Sequence, residues 1–177
     1  MKTLGPLHSA TRDLHHAVES TKFGTAMAKG TVSPEAWTMW LKAMCDIHCI
    51  IDNWAPVALQ RYYPVLADYS EMLTRNMKQV PVASSIDYVQ SIKTNTDALG
   101  AVYVLGGAHV MGGAIIQKQI NGRLPCRHLL FDKTERPHAI QAIVQLRNRE
   151  DLIDSARACF SALINTANEI ESNVSVT

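Results

Sequence analysis

Two stretches of the chain carry residue types whose spacing points to chemistry. The first pairs His15 with Glu19, one helical turn apart near the amino end. Stepping about 100° per residue from Leu14, the apolar arc ends near Thr11, and the next positions round are His15, His8 and Glu19. An imidazole at that rim can turn its ring toward an interior cleft. Glu19 can then reach the other ring nitrogen, which fixes the tautomer and makes the first nitrogen a better metal ligand. His16 points about 100° further out, toward solvent. A histidine at the edge of an apolar face is more often a hydrogen-bonded structural residue, so spacing alone does not select ligation.

The second stretch is Leu105-Gly-Gly-Ala-His-Val-Met-Gly-Gly-Ala-Ile115. Glycine inside a helix costs about 0.8 to 1 kcal/mol relative to alanine, so four within eight residues sacrifice roughly 3 to 4 kcal/mol. Something must offset that. One reading is close helix packing, with Ala108 and Gly112 as a small-xxx-small step. The other is a bent helix that lays bare backbone against a flat ligand. A third cluster, Cys45-x-x-His48-Cys49, places soft donors within one turn. Three donors without a fourth make a poor structural zinc site, and buried helix packing is the better reading.

The elements that must position these residues read as helices. No sustained period-2 alternation is present, whereas 3.6-residue periodicity recurs, so the fold class is all-α. A first helix spans about 7–19, with Leu7, Ala10, Leu14, Ala17 and Val18 inward. A short one over 23–29 ends at Gly30. Ser33-Pro34-Glu35 starts another that runs to about Asn53 with Trp37, Trp40, Leu41, Met44, Ile47 and Ile51 inward. Shorter helices are expected at 57–62, 68–78 and 85–94, separated by Pro64 and Val80-Pro81-Val82. Asn95-Thr96-Asp97 caps a long apolar helix that stops near Asn121-Gly122, and helices over 137–147 and 151–173 follow.

Composition bounds the partners. The 177 residues carry 17 Lys+Arg against 16 Asp+Glu, a net charge of +1, with no long basic run, so a nucleic-acid partner is not expected. No Pro-, Gly- or Ser-rich linker divides the chain, and a single domain over 1–177 is expected. The four cysteines lack the spacing of a secreted disulfide scaffold, and the first residues lack a signal-peptide core, which together suggest a cytoplasmic protein. Ala98 to Ile116 is uncharged and long enough to span a membrane, but its five glycines and His109 make it a poor span and a better buried helix. No P-loop, nucleophile elbow or dinucleotide fingerprint is present.

A ligand-capable histidine on an early helix and a kinkable glycine helix later in the core are what a planar metallo-macrocycle needs on its two faces. Ala10-Thr11-Arg12-Asp13-Leu14-His15 with Glu19, then Phe23 and Lys29-Gly30-Thr31-Val32, resembles the N-terminal signature of heme oxygenases, and Tyr103-Val-Leu-Gly-Gly-Ala-His-Val-Met-Gly-Gly113 resembles their distal helix. The resemblance is to a short, bacterial or phage-like form and spans most of the chain. It implies a heme oxygenase-like multi-helix bundle that takes heme as substrate and cofactor. With O2 and electrons from a ferredoxin, flavodoxin or other reductase, such a protein opens heme to biliverdin and releases iron and CO. His15 becomes the proximal ligand, the metal-binding residue, with Glu19 behind it. The distal segment contributes Gly107, Ala108, His109, Met111, Gly112 and Gly113, and Phe160 on the last helix joins the heme contacts.

Bacterial members often read Gly-Ser-x-Leu-Gly-Gly. This chain can be laid on that pattern as Gly107 to Gly112, or one residue later, and the later register puts His109 where mammalian-type members carry an aspartate. His109 could then order water or ligate iron from the distal side. His8 stands where many relatives have a basic propionate partner, with Arg12 as a substitute, and Tyr103, Arg147 and Arg149 are further candidates for the propionates. His48 falls near a position on the family's proximal side. The alternative function is a non-catalytic heme carrier or sensor held by His15 and His109. The same superfold hosts thiamin-degrading enzymes and di-iron oxidases, and the carboxylate-rich helix pairs of a di-iron centre are not evident here.

Overall fold

A computed structural model describes residues 5–177, and every regular element among them is helical. The α-helices are α1 (Pro6–Ser20), α2 (Lys22–Lys29), α3 (Pro34–Ile51), α4 (Tyr62–Thr74), α5 (Ala83–Ser91), α6 (Asn95–Gly107), α7 (Gly113–Ile120), α8 (Glu135–Leu146) and α9 (Ile153–Asn173). A π-turn over Ala108–Gly112 joins α6 to α7 without a break, and 3₁₀ turns fill Val57–Leu59, Arg127–Leu129 and Glu150–Leu152.

Local chemistry explains the boundaries. Ser33 accepts a hydrogen bond from the Ala36 amide at 3.2 Å and Pro34 opens α3, as the sequence pattern requires. Thr21 closes α1 and caps α2, its hydroxyl accepting from the Gly24 amide at 2.9 Å. Gly30 ends α2 in the left-handed conformation, φ +70°. The cap of α6 sits one residue earlier than expected: Thr94 and Asp97 form a reciprocal capping box, which satisfies two orphan amides where Asn95 would satisfy one. Pro64 does not separate two helices. It falls in the first turn of α4, where a missing N–H removes no intrahelical bond, so the expected helix over 68–78 starts at Tyr62 and the one over 57–62 shrinks to a single 3₁₀ turn.

One contiguous apolar core runs through these helices. Trp37, Leu41, Met44, Ile47 and Ile51 on α3 are fully buried, each such side chain contributing about 1.5 to 3 kcal/mol by leaving water. Helix α9 is the common support: α1, α2, α3, α5 and α6 all pack on it. The crossing with α6 is close because Gly100 has no side chain, and a Cβ there would collide with Ser155 and the backbone of Ala156. The segment Asn95–Ile120 is long and apolar enough to cross a membrane, but just over half of its apolar stretch is buried inside the fold, as in a core helix.

Candidate functional site

The glycines of the long helix divide into two groups. A Cβ on Gly106 would press on Ile143 and Leu59 at 3.0 to 3.2 Å, and one on Gly113 would meet Leu129 at 3.3 Å, so these two serve packing. A Cβ on Gly107 or Gly112 would meet nothing within 4 Å. Neither is needed for helix contact, and Ala108, on which the small-xxx-small reading depends, is exposed. Around these bare backbone positions lie exposed Met111 and Ile115 and, one turn before Gly107, half-buried Tyr103. The π-turn coincides with this face. Its widened ladder is the expected accommodation where a helix carries glycine on both sides of a bend.

Helix α1 carries the second motif. It lies on α9 and α2, while α6 packs on α9 and α7 on α2, and the π-turn itself rests on α8 and the Arg127–Leu129 turn. The two motifs therefore stand on common supports, α9 and α2. On α1, Thr11 is buried and turns its hydroxyl back to the Leu7 carbonyl at 2.7 Å, whereas Leu14 and Val18 remain half-buried and Ala17, expected inside, is exposed. His15 is 54% exposed with its Nδ1 3.6 Å from Glu19 Oε2, an ion-pair distance beyond hydrogen-bond range. His16 Nδ1 lies 3.7 Å from the same oxygen and is solvated as expected. Together the three residues bring donor atoms within 4.8 Å of one another. Phe160 of α9 braces the His15 ring edge-on, with centroids 5.8 Å apart.

The candidate propionate partners fall into separate groups. His8 and Arg12 are both exposed along α1. Tyr103 and Arg147 are near neighbours: burial raises the phenol's pKa and the guanidinium partly counters it. The Arg147 carbonyl accepts from the Leu7 amide at 3.2 Å, so this pair sits beside the start of α1. Arg149 is not with them, because its guanidinium is held by Asp151 at 2.5 and 3.1 Å.

His109 and His48 require correction. The His109 ring does not lie on the glycine face. It is buried, stacked on His48 at 5.3 Å and edge-on to His128 at 5.4 Å. A distal iron ligand or catalytic group on the open face would have to leave that stack. His48 packs against the π-turn through that stack. Its neighbours in Cys45-x-x-His48-Cys49 diverge, Cys45 being buried with its thiol pKa pushed up to about 12 by burial, and Cys49 exposed. His128 had no signal in the sequence beyond an apolar surround. Its partner Asp68 is 60 residues away, takes the ring Nδ1–H at 2.7 Å and the backbone amide at 3.1 Å, and also accepts from Arg127 at 2.9 Å. Burial pushes the His109 pKa well below its usual value, helped by His48, His128 and Arg61, and burial lowers that of His128 against the pull of Asp68.

The fold is that of heme oxygenases. Heme oxygenase-1 of the cyanobacterium Synechocystis sp. PCC6803, in complex with heme, superposes with a TM-score of 0.74 at 15% identity over 94% of this chain and 91% of that one. Heme oxygenase from Leptospira interrogans gives 0.74 at 14% over 94% and 97%. Heme oxygenase-2 from Synechocystis sp. PCC 6803, in complex with heme and NO, gives 0.72 at 14% over 94% and 84%. No protein-family model and no curated protein sequence matches the chain. The resemblance read from the two motifs thus holds at the level of fold.

Proposed function

We propose that this chain is a heme oxygenase: it clasps heme between α1 and the π-turn, with His15 on the iron, and opens it to biliverdin with release of iron and CO. The observation that carries the reading is the split among the glycines. Gly107 and Gly112 give up helix stability, about 0.8 to 1 kcal/mol each, and receive no packing contact in return. A flat ligand lying against bare backbone accounts for that sacrifice. The residues present fit such a ligand, because Met111, Ile115, Leu14 and Val18 offer apolar surface while His15 offers an imidazole on α1.

Heme, when bound, supplies the redox chemistry of its own ring opening. The chain's residues do the rest. His15 would hold the iron through its imidazole, Glu19 stands 3.6 Å from its Nδ1, near enough to tighten onto that nitrogen once the ring is engaged, and Phe160 limits rotation of the ring. Met111 and Ile115, exposed in the chain alone, would cover a bound macrocycle from water, and the bare backbone at Gly107 and Gly112 would let it come close. Tyr103 and Arg147 stand where a carboxylate could be paired, and Arg12 and His8 lie along α1 for the same purpose. His109 supports the π-turn from below. The absence of flavin and nicotinamide motifs calls for an external donor such as a ferredoxin, flavodoxin or other reductase, in the cytoplasm.

Hemin titration followed by a reductant in air tests the reading. Uptake of hemin with a Soret band, then bleaching and appearance of a bilin, is the expected result. A low-spin, six-coordinate spectrum that survives reductant and O2 would identify a carrier or sensor instead.

A further inference from the structure

The heme reading leaves the three buried imidazoles unexplained. His48, His109 and His128 are 1%, 4% and 0% exposed and come from three separate elements, α3, the π-turn and the Arg127–Leu129 turn. One nitrogen on each, His48 Nε2, His109 Nδ1 and His128 Nε2, is buried without a hydrogen-bond partner. Leaving a buried polar atom unpaired costs about 1 to 3 kcal/mol, and these three belong to His109 and to the two rings packed against it. From this cluster we infer that the chain has a second, non-heme site, in which His48, His109 and His128 bind a divalent first-row transition-metal ion.

The surroundings match that assignment. A carboxylate can only accept, so Asp52 on His48 Nδ1 at 2.9 Å and Asp68 on His128 Nδ1 at 2.7 Å force both protons onto Nδ1 and leave Nε2 as a lone pair. This is the carboxylate–histidine arrangement that stands behind metal-bound imidazoles. Asp52 is itself fixed by the backbone amides of Arg61 and Tyr62 at 2.7 and 2.6 Å. Two imidazoles on one tetrahedral ion, with metal–nitrogen distances of about 2.0 Å, bring their ring centres about 5 Å apart. The His48–His109 and His109–His128 centroid distances are 5.3 and 5.4 Å. The three donors do not converge as tightly as those of His15, His16 and Glu19, so closure on an ion needs a side-chain rotation, and the π-turn carrying His109 is the element able to yield.

Charge favours a cation only moderately. Asp52 and Asp68 oppose the buried Arg61, which lies close enough to bear on both His109 and His128 but stacks on Phe131 at 3.5 Å and pairs with Glu135 at 3.9 Å. A three-histidine set with no thiolate suits Zn²⁺, Co²⁺ or Fe²⁺ better than Mg²⁺ or Ca²⁺, and three protein ligands leave a coordination position open. A surface cleft of about 530 Å³, lined by His48, Cys49, Asp52 and Tyr62 among others, gives an ion a route from solvent to His48. The competing explanation is an ordered water bridging the same nitrogens.

The test uses the full chain without heme, so its outcome is independent of the oxygenase reading. His15→Ala/His16→Ala first removes the exposed donors on α1. Titrated with Co²⁺, this variant should bind one equivalent with the intense visible absorption of a low-coordinate site, and Asp68→Asn should weaken that binding 10- to 100-fold. X-ray absorption of the same double variant loaded with Zn²⁺ should show three imidazoles at about 2.0 Å, a readout that needs no core substitution. Absence of uptake, uptake unaffected by Asp68→Asn in protein that circular dichroism shows to be folded, or a Zn²⁺ shell without imidazole overturns the site in favour of bridging water.

Discussion

The molecule keeps two groups of histidines in opposite settings. On α1, His15 and His16 stand in solvent and share one carboxylate at 3.6 and 3.7 Å. Under the π-turn, His48, His109 and His128 are enclosed, and two of them have a carboxylate each at hydrogen-bond distance. Residue type is the same in both, so environment decides the role. The exposed ring can meet a large flat ligand but depends on that ligand for its final surroundings. The enclosed rings pack against one another away from solvent, out of reach of a large ligand. The glycine segment lies between the two settings, with Gly107 and Gly112 open on one side and His109 turned into the core on the other.

Breaking the exposed half should have the largest effect. His15→Ala should lower the rate of hemin degradation by at least about 100-fold, or about 2.7 kcal/mol, and alter the ferric spectrum, because the proposed function gives the iron bond to this one side chain. An unchanged spectrum would transfer ligation to another residue, with His16 first in line. Next comes the contrast among glycines. Gly100→Val should destabilise the fold by about 1 to 3 kcal/mol through its clash with Ser155 and Ala156, read as a lower urea midpoint. Gly112→Leu, where the added Cβ meets nothing within 4 Å, should leave the urea midpoint near wild type and weaken hemin binding about tenfold.

A pH series probes how dry the core is. Burial holds the Cys45 and Cys159 thiols up to about 12, against an ordinary value of 9.0. Both folded pKa values lie above the unfolded one, so their contribution to stability is complete below pH 9 and declines as the pH rises toward 12. The expected slope is about 1.4 kcal/mol per pH unit for each thiol in that window, measurable by denaturant titration. At neutral pH a thiol reagent should modify exposed Cys49 rapidly and spare Cys45 and Cys159 until the chain unfolds. Gly107→Ala should have the smallest effect, a gain of up to about 1 kcal/mol in stability, and would be most informative if it also reduced hemin turnover.

The two halves were unequally legible in the sequence. The α1 cluster was readable because its members are local: Leu14, His15 and Glu19 follow from one helical period, and Ser33-Pro34-Glu35 or Gly30 mark boundaries within a few residues. The sacrifice in the glycine stretch was also visible, but which glycines face space depends on Ile143, Leu59 and Leu129, which come from other elements. The enclosed cluster was hidden for the same reason. His48 and Asp52 are one turn apart and could have been paired by inspection, whereas His128 with Asp68 and His109 with both rings exist only after α3, the π-turn and the Arg127–Leu129 turn have packed. Pro64 misled because a proline reads as a break unless its place in the first turn is known.

The central claim is that α1 and the bare face of the π-turn bind heme for turnover. One anaerobic hemin titration, followed by reductant and then O2 while the visible spectrum is recorded, tests it most directly. The account predicts stoichiometric uptake, loss of the Soret band and growth of a bilin absorption; failure to take up hemin, or a Soret band unchanged after O2, would contradict it.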